Sequence, residues 1–157
     1  MSLGGIFALG GAIIFIMFLI FIALYLLFAF GLYTLGQKQK IENNWLAFIP
    51  VAQLYVLGKL IKEIKLQQYV VPNHELVLPG AVLAYMIFSK VPVLGFLTWL
   101  ASIILTVAAI YYLYKRYKGD KAVVMTVLSV VLPFMGPVYI FNMRNDDPLD
   151  AEQKVIV

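Results

Sequence analysis

Apolar positions run almost unbroken through residues 1–37, and no charged side chain interrupts them. Such a run predicts one membrane-crossing helix over residues 3–35. It exceeds the roughly 20 residues needed to cross about 30 Å of hydrocarbon, so tilt or projection past the lipid is expected. A cleaved signal peptide would need a basic start and a shorter apolar core. Gly10 and Gly11 lower helix propensity and mark a bend or a late start. Phe15, Phe18, Phe21, Tyr25 and Phe28 repeat at three- and four-residue spacing, and Gly4, Ala8 and Ala12 form a small-residue row. Packing within the chain is the plain reading of that row, and an oligomer contact is the sharper one.

The next stretch breaks the pattern. A polar loop over 36–44 leads into residues 45–58, apolar enough to enter a bilayer but only about 21 Å long as a helix. Trp45, Pro50 and Gln53 interrupt it. An indole suits the membrane boundary. Pro50 removes a backbone donor and is expected to strand a carbonyl. Gln53 brings an amide that needs partners from that backbone, from a hydroxyl of Thr98, Ser102 or Thr106, or from water. These three residues are read as the apex of a short re-entrant or interfacial hairpin. A helix resting at the lipid boundary is the alternative. Beyond it, Leu60, Ile61 and Ile64 share one side while Lys59 and Lys62 lie off it and Lys65 borders it, the pattern of an amphipathic interfacial helix. Residues 45–68 are therefore expected to be re-entrant or amphipathic.

Three further apolar runs cover residues 76–90, 96–114 and 122–141. Pro79 falls in the first turns of its run, where proline is tolerated. Thr98, Ser102 and Thr106 repeat every four residues and place weakly polar groups on one helical side. A packing seam is the plain reading of that row, and a water path facing a pore is the sharper one. Pro133, Gly136 and Pro137 predict a kinked or partly opened last helix. The expected fold is all-α: a single polytopic membrane bundle of four transmembrane helices plus the short re-entrant or interfacial segment.

Composition strengthens the membrane reading. Only 13% of residues are charged and 63% are apolar, where a soluble domain carries about 25% charged residues. The net charge of +4 then reads as topology and anionic-lipid contact through Lys59, Lys62, Lys65, Lys115, Arg116 and Lys118, not as nucleic-acid binding. Charge also chooses between arrangements. With five crossings, the basic loops fall on opposite sides. With four, the loops around Lys38, around Lys62 and around Lys118 share one side, and only Lys90, Arg144 and Lys154 lie elsewhere. The four-crossing arrangement puts both termini outside.

Catalytic chemistry has little material. There is no cysteine and one histidine, His74, which excludes disulfides, thiolate nucleophiles and His/Cys metal clusters. No proposed span carries a charge at its centre, as a proton relay or ion-coupled transporter usually requires. HExxH, GxSxG, GxGxxG and Walker A patterns do not occur. No catalytic, cofactor or metal site is expected.

The stretch YTLGQKQKIENNWLAFIPVAQLYVLGKLIK resembles a motif of small, poorly characterised bacterial multi-pass membrane proteins. Those proteins carry Trp-x-Ala-x-Ile-Pro, then a polar residue and a short apolar run. Trp45, Ala47, Ile49, Pro50 and Gln53 take the matching positions, with Gln53 where the family often has asparagine. The run VLPFMGPVYIFNMRN is similar to the family's closing helix. Together these cover about half the chain. The resemblance implies a bacterial cytoplasmic membrane and supplies no activity or catalytic residue. The expected function is non-enzymatic: an accessory, regulatory or immunity-type protein that contacts membrane lipids and associates with another membrane protein or with itself. A small oligomeric channel or transporter is the alternative.

Overall fold

The computed structural model describes residues 3–66 and 69–149, with the side chains of residues 3–6, 8 and 66 outside that set. Helix α1, Leu3–Lys38, meets no proline and no polar break, so its 36 residues form one rod of about 54 Å. Left-handed backbone at Lys40 and Asn43 turns the chain into a 3₁₀ turn, Asn44–Phe48, and helix α2, Gln53–Leu60. Strands β1, Lys65–Leu66, and β2, Tyr69–Val70, pair antiparallel. Helices α3, His74–Phe88, α4, Pro92–Lys118, α5, Ala122–Val131, and α6, Met135–Asn142, complete the order. Apart from the two-residue ladder, the regular structure of the described residues is helical. Two helical runs are long and apolar enough to cross a membrane: α1, and the run that begins with α4.

The core sits at one end. Leu32 and Leu35 of α1, Leu57 and Leu60 of α2, Leu78 of α3, Leu113 and Tyr114 of α4, and Ile140 of α6 are fully buried in a single cluster. This end, the base, also holds most of the charged loops. Away from it the helices show apolar side chains outward. Ile14 and Phe21 of α1, Ile87 of α3, Val93 and Phe96 of α4, and Val131 of α5 are all exposed. Soluble monomers rarely expose contiguous apolar patches beyond a few hundred Å².

Two expectations are corrected. Residues 122–141, expected as one span kinked at its prolines, form two helices folded into a hairpin. Gly119, at φ 54, reverses the chain after α4, and α5 runs back along it, so that the Tyr114 and Ser129 hydroxyls meet at 2.9 Å. Leu132 then leaves the helix at φ −121, ψ 85, and Pro133 cannot continue the ladder. Helix α6 doubles back: a Cβ on Gly136 would sit 3.7 Å from Cβ of Ser129. Pro137 lies in the first turn of α6, where a missing N–H is tolerated. The chain returns to the base, where Asp146 lies 2.6 Å from the Lys118 ammonium and Lys38 donates to the Asn145 carbonyl. The described end of the chain therefore lies with the basic loops, not opposite them, and residues 150–157 lie outside the described residues.

The second correction concerns residues 59–68. The helix stops at Leu60, and the chain continues extended, with Lys65 opposite Val70 and Leu66 opposite Tyr69. The Val71 N–H donates to the Ile64 carbonyl at 2.9 Å. Ile61, Ile64 and Val71 are buried. β-Branched side chains suit this extended ribbon better than a helix. The apolar positions enter the protein core rather than the lipid interface expected of them, and do so in an extended backbone. Gln67 and Gln68 lie outside the described residues.

Candidate functional site

Two half-length helical hairpins rise from the base, and the first contains Trp45, Pro50 and Gln53. Gly36 of α1 touches both of its legs. A Cβ there would lie 3.0 Å from Asn44 Cβ and 3.5 Å from Val56 Cγ1. At the tip, the Tyr25 hydroxyl donates to the Phe48 carbonyl at 2.5 Å. Tyr25 precedes Gly36 by about 16 Å of helical rise. The Phe48 ring packs edge-on to Phe30 at 5.0 Å and tilted to Tyr33 at 5.3 Å. The chain thus leaves the base beside Gly36, climbs to the level of Tyr25 and returns to Gly36.

Backbone geometry makes this reversal. Ile49 is extended and Val51 is left-handed at φ 68, where a β-branched residue is an outlier. Pro50 strands no carbonyl. Its own carbonyl accepts from Ala52 at 2.9 Å, and Leu46, which an α-helix would leave unpaired, accepts from Ile49 at 3.0 Å. Gln53 opens α2, and its backbone N–H bonds to Ile49 at 2.9 Å. Its side-chain Oε1 is buried with no partner among the described residues. Trp45 is exposed near the start of the rising leg.

The hydroxyl row does not join this apex. Thr98 donates to Leu94 at 2.7 Å and Ser102 to Trp99 at 2.8 Å, both within their own helix. Ser102 and Thr106 line a shallow groove on α4 with Ile103 and Val107. Pro133, Gly136 and Pro137 belong to the second hairpin. There Ser129 bonds Tyr114, whose hydroxyl also approaches the Gly136 carbonyl at 3.5 Å. Tyr114 escaped the sequence reading because its partners exist only once the hairpin closes.

Burying an amide oxygen without a partner costs about 1–3 kcal/mol, so Gln53→Leu is expected to preserve or raise stability by about 1 kcal/mol. Thermal melting in detergent checks this. A loss larger than that would mean the amide has a partner in the membrane.

The base is knitted by side chains from separate elements. Arg116 of α4 donates to the Leu60 carbonyl, closing the end of α2, and to Gln39 Oε1 at 3.1 Å. A cation at a helix C-terminus is also favoured by the aligned peptide dipoles. Lys59 meets Glu75 at 3.2 Å, and His74 Nε2 lies 3.1 Å from the Ile61 carbonyl. Lys62, Lys65, Lys115 and Arg116 surround a cleft of about 540 Å³ with Glu63 and Tyr112. Lys65 lies 2.8 Å from Glu63, which raises its affinity for the proton. Lys118 stands apart from the cleft, on Asp146 at 2.6 Å. Arg116 was read from sequence as a topology charge, and its role in joining three elements was not visible there.

Compared with known proteins, the chain matches no protein-family model, no curated protein and no solved structure.

Proposed function

We propose that this is a non-enzymatic integral protein of a bacterial cytoplasmic membrane that works by holding another membrane protein, or a second copy of itself, through the first half of α1. In this reading α1, α3 and α4 cross the membrane, and the two hairpins dip into it from the side of the base. The charge pattern supports that orientation. Lys90, between α3 and α4, stands at the far end, while Lys38, Lys59, Lys62, Lys115, Arg116 and Lys118 lie at the base.

The carrying observation is that the first half of α1 is bare. Phe7, Ile13, Ile14, Phe15, Met17 and Phe18 are exposed on all sides, and a Cβ built on Gly10 or Gly11 meets nothing within 4 Å. Lipid tails are as apolar as leucine, so hydrophobicity alone does not cover such a helix. Close packing against small residues does, and at Gly10, Gly11 and Ala12 the helix backbone is open to it. Gly10→Leu with Gly11→Leu disturbs no contact within the chain. It is expected to lower association at least tenfold, measured by crosslinking single cysteines at Ala12 in membranes, with the melting temperature retained. Undiminished crosslinking to self and to partner would overturn the reading.

A second reading, an oligomeric channel, is favoured by the paired half-depth hairpins, since broken backbone at membrane depth usually borders protein or water. Proteoliposome flux equal to that of empty vesicles, for common ions and small solutes, would remove it.

A further inference from the structure

The basic cleft does not end at the base. Lys65 and Tyr112 line it, and the same two residues line a second groove of about 540 Å³ between α4 and α5. Ile104, Val107 and Ala108 form one wall of that groove, and Val123 and Val127 form the other. From Arg116 to Ile104 the track follows about 18 Å of helix. Two of its three hydroxyls are engaged: Tyr112 donates to the Lys65 carbonyl at 2.8 Å and Thr126 to the Ala122 carbonyl at 2.7 Å, and the third, on Tyr111, stands at the end nearer the cleft. Beyond Lys65 and Tyr111, at the end it shares with the cleft, the groove is therefore apolar in what it offers a ligand.

The cleft offers the opposite. Lys62, Lys65, Lys115 and Arg116 converge on it, and among the described residues Glu63 is the one carboxylate in its lining. The Lys115 ammonium lies 5.9 Å above the Tyr111 ring and has no carboxylate partner among the described residues. A free anion would have no use for the groove, and a neutral lipid would have none for the lysines. We infer that cleft and groove together bind one anionic phospholipid, its phosphate headgroup among Lys62, Lys65 and Lys115 and one acyl chain along α4 and α5. This rests on the membrane reading above, which places the base at the leaflet surface where anionic headgroups lie. Bulk lipid fills an apolar groove without preference, so selection comes from the charged end, as in basic pockets between membrane helices.

The test is native mass spectrometry of the full chain in neutral detergent, with equal amounts of phosphatidylglycerol and phosphatidylcholine. One phosphatidylglycerol per chain is expected to be retained with at least tenfold preference. Lys62→Gln, Lys65→Gln and Lys115→Gln together change only exposed side chains and are expected to abolish the preference. Val127→Phe, also at an exposed position, fills the groove and is expected to lower retention at least fivefold with melting unchanged. Glycerol phosphate, the headgroup without chains, is expected not to displace the lipid. Equal retention of both lipids, an undiminished preference in the triple variant, or full displacement by glycerol phosphate would each overturn the inference and leave the membrane reading standing. A chain that stays dispersed in buffer without detergent would overturn both.

Discussion

Replacing Gly31 by leucine is expected to separate the second hairpin from α1 and to destabilise the protein by about 3 kcal/mol, the upper end of the range for overpacking. A Cβ at Gly31 would lie 2.9 Å from Ile140 Cγ2 and 3.0 Å from backbone atoms of Ile140 and Phe141. A side-chain tip can move aside, but two backbone atoms of a packed helix cannot. Helix α6 would have to shift, drawing Ile140 and Met143 out of the buried cluster. Gly10→Leu in the same helix is the control, because nothing lies within 4 Å of it. Melting in detergent should separate the two variants clearly. Equal behaviour would mean that α6 does not pack on α1 in the membrane.

Arg116→Met is expected to cost about 3–6 kcal/mol, because its two hydrogen bonds involve a charged group and such bonds contribute about 1.5–3 kcal/mol each. The substitution keeps most of the side-chain length but leaves the Leu60 carbonyl and the Gln39 amide unserved. Lysine is expected to rescue less than half of the loss, since one ammonium cannot reproduce the planar fork that spans both acceptors. Lys121→Met, at an exposed position, should change stability by no more than about 0.5 kcal/mol. Denaturant or thermal unfolding of the set measures this. An Arg116→Met protein as stable as the Lys121 variant would refute the clamp.

The legible parts of the sequence were those governed by local physics. Unbroken apolar runs announced the long helices, because every turn of such a helix satisfies its own backbone. Pro50 announced an interruption, and the chain does reverse beside it. The less legible parts depended on which way the chain goes after a break. Pro133 signals that a helix ends, but its neighbours look the same whether the next helix continues across or doubles back. What decides the path is α6 packing on Gly31 and Tyr114 meeting Ser129, contacts far apart in the chain. Lys59 to Lys65 failed for a related reason. The apolar spacing of Leu60, Ile61 and Ile64 fits a helix, while burial of Ile64 and Val71 side by side requires a ribbon. Gln53 was singled out for its amide, and the fold buries that oxygen without a partner among the described residues.

The second hairpin returns to the base it left, and we propose on that ground that three helices cross and that the described end of the chain shares a side with the basic loops. The chain has no cysteine, so single cysteines introduced at Lys90, Lys121 and Asn145 report without background. Labelling with a membrane-impermeant maleimide in intact cells and in inverted vesicles places each one. The account predicts that position 145 labels with position 121 from the cytoplasmic side, and position 90 from the outside. Labelling of position 145 from the outside together with position 90 would contradict it and restore a fourth crossing.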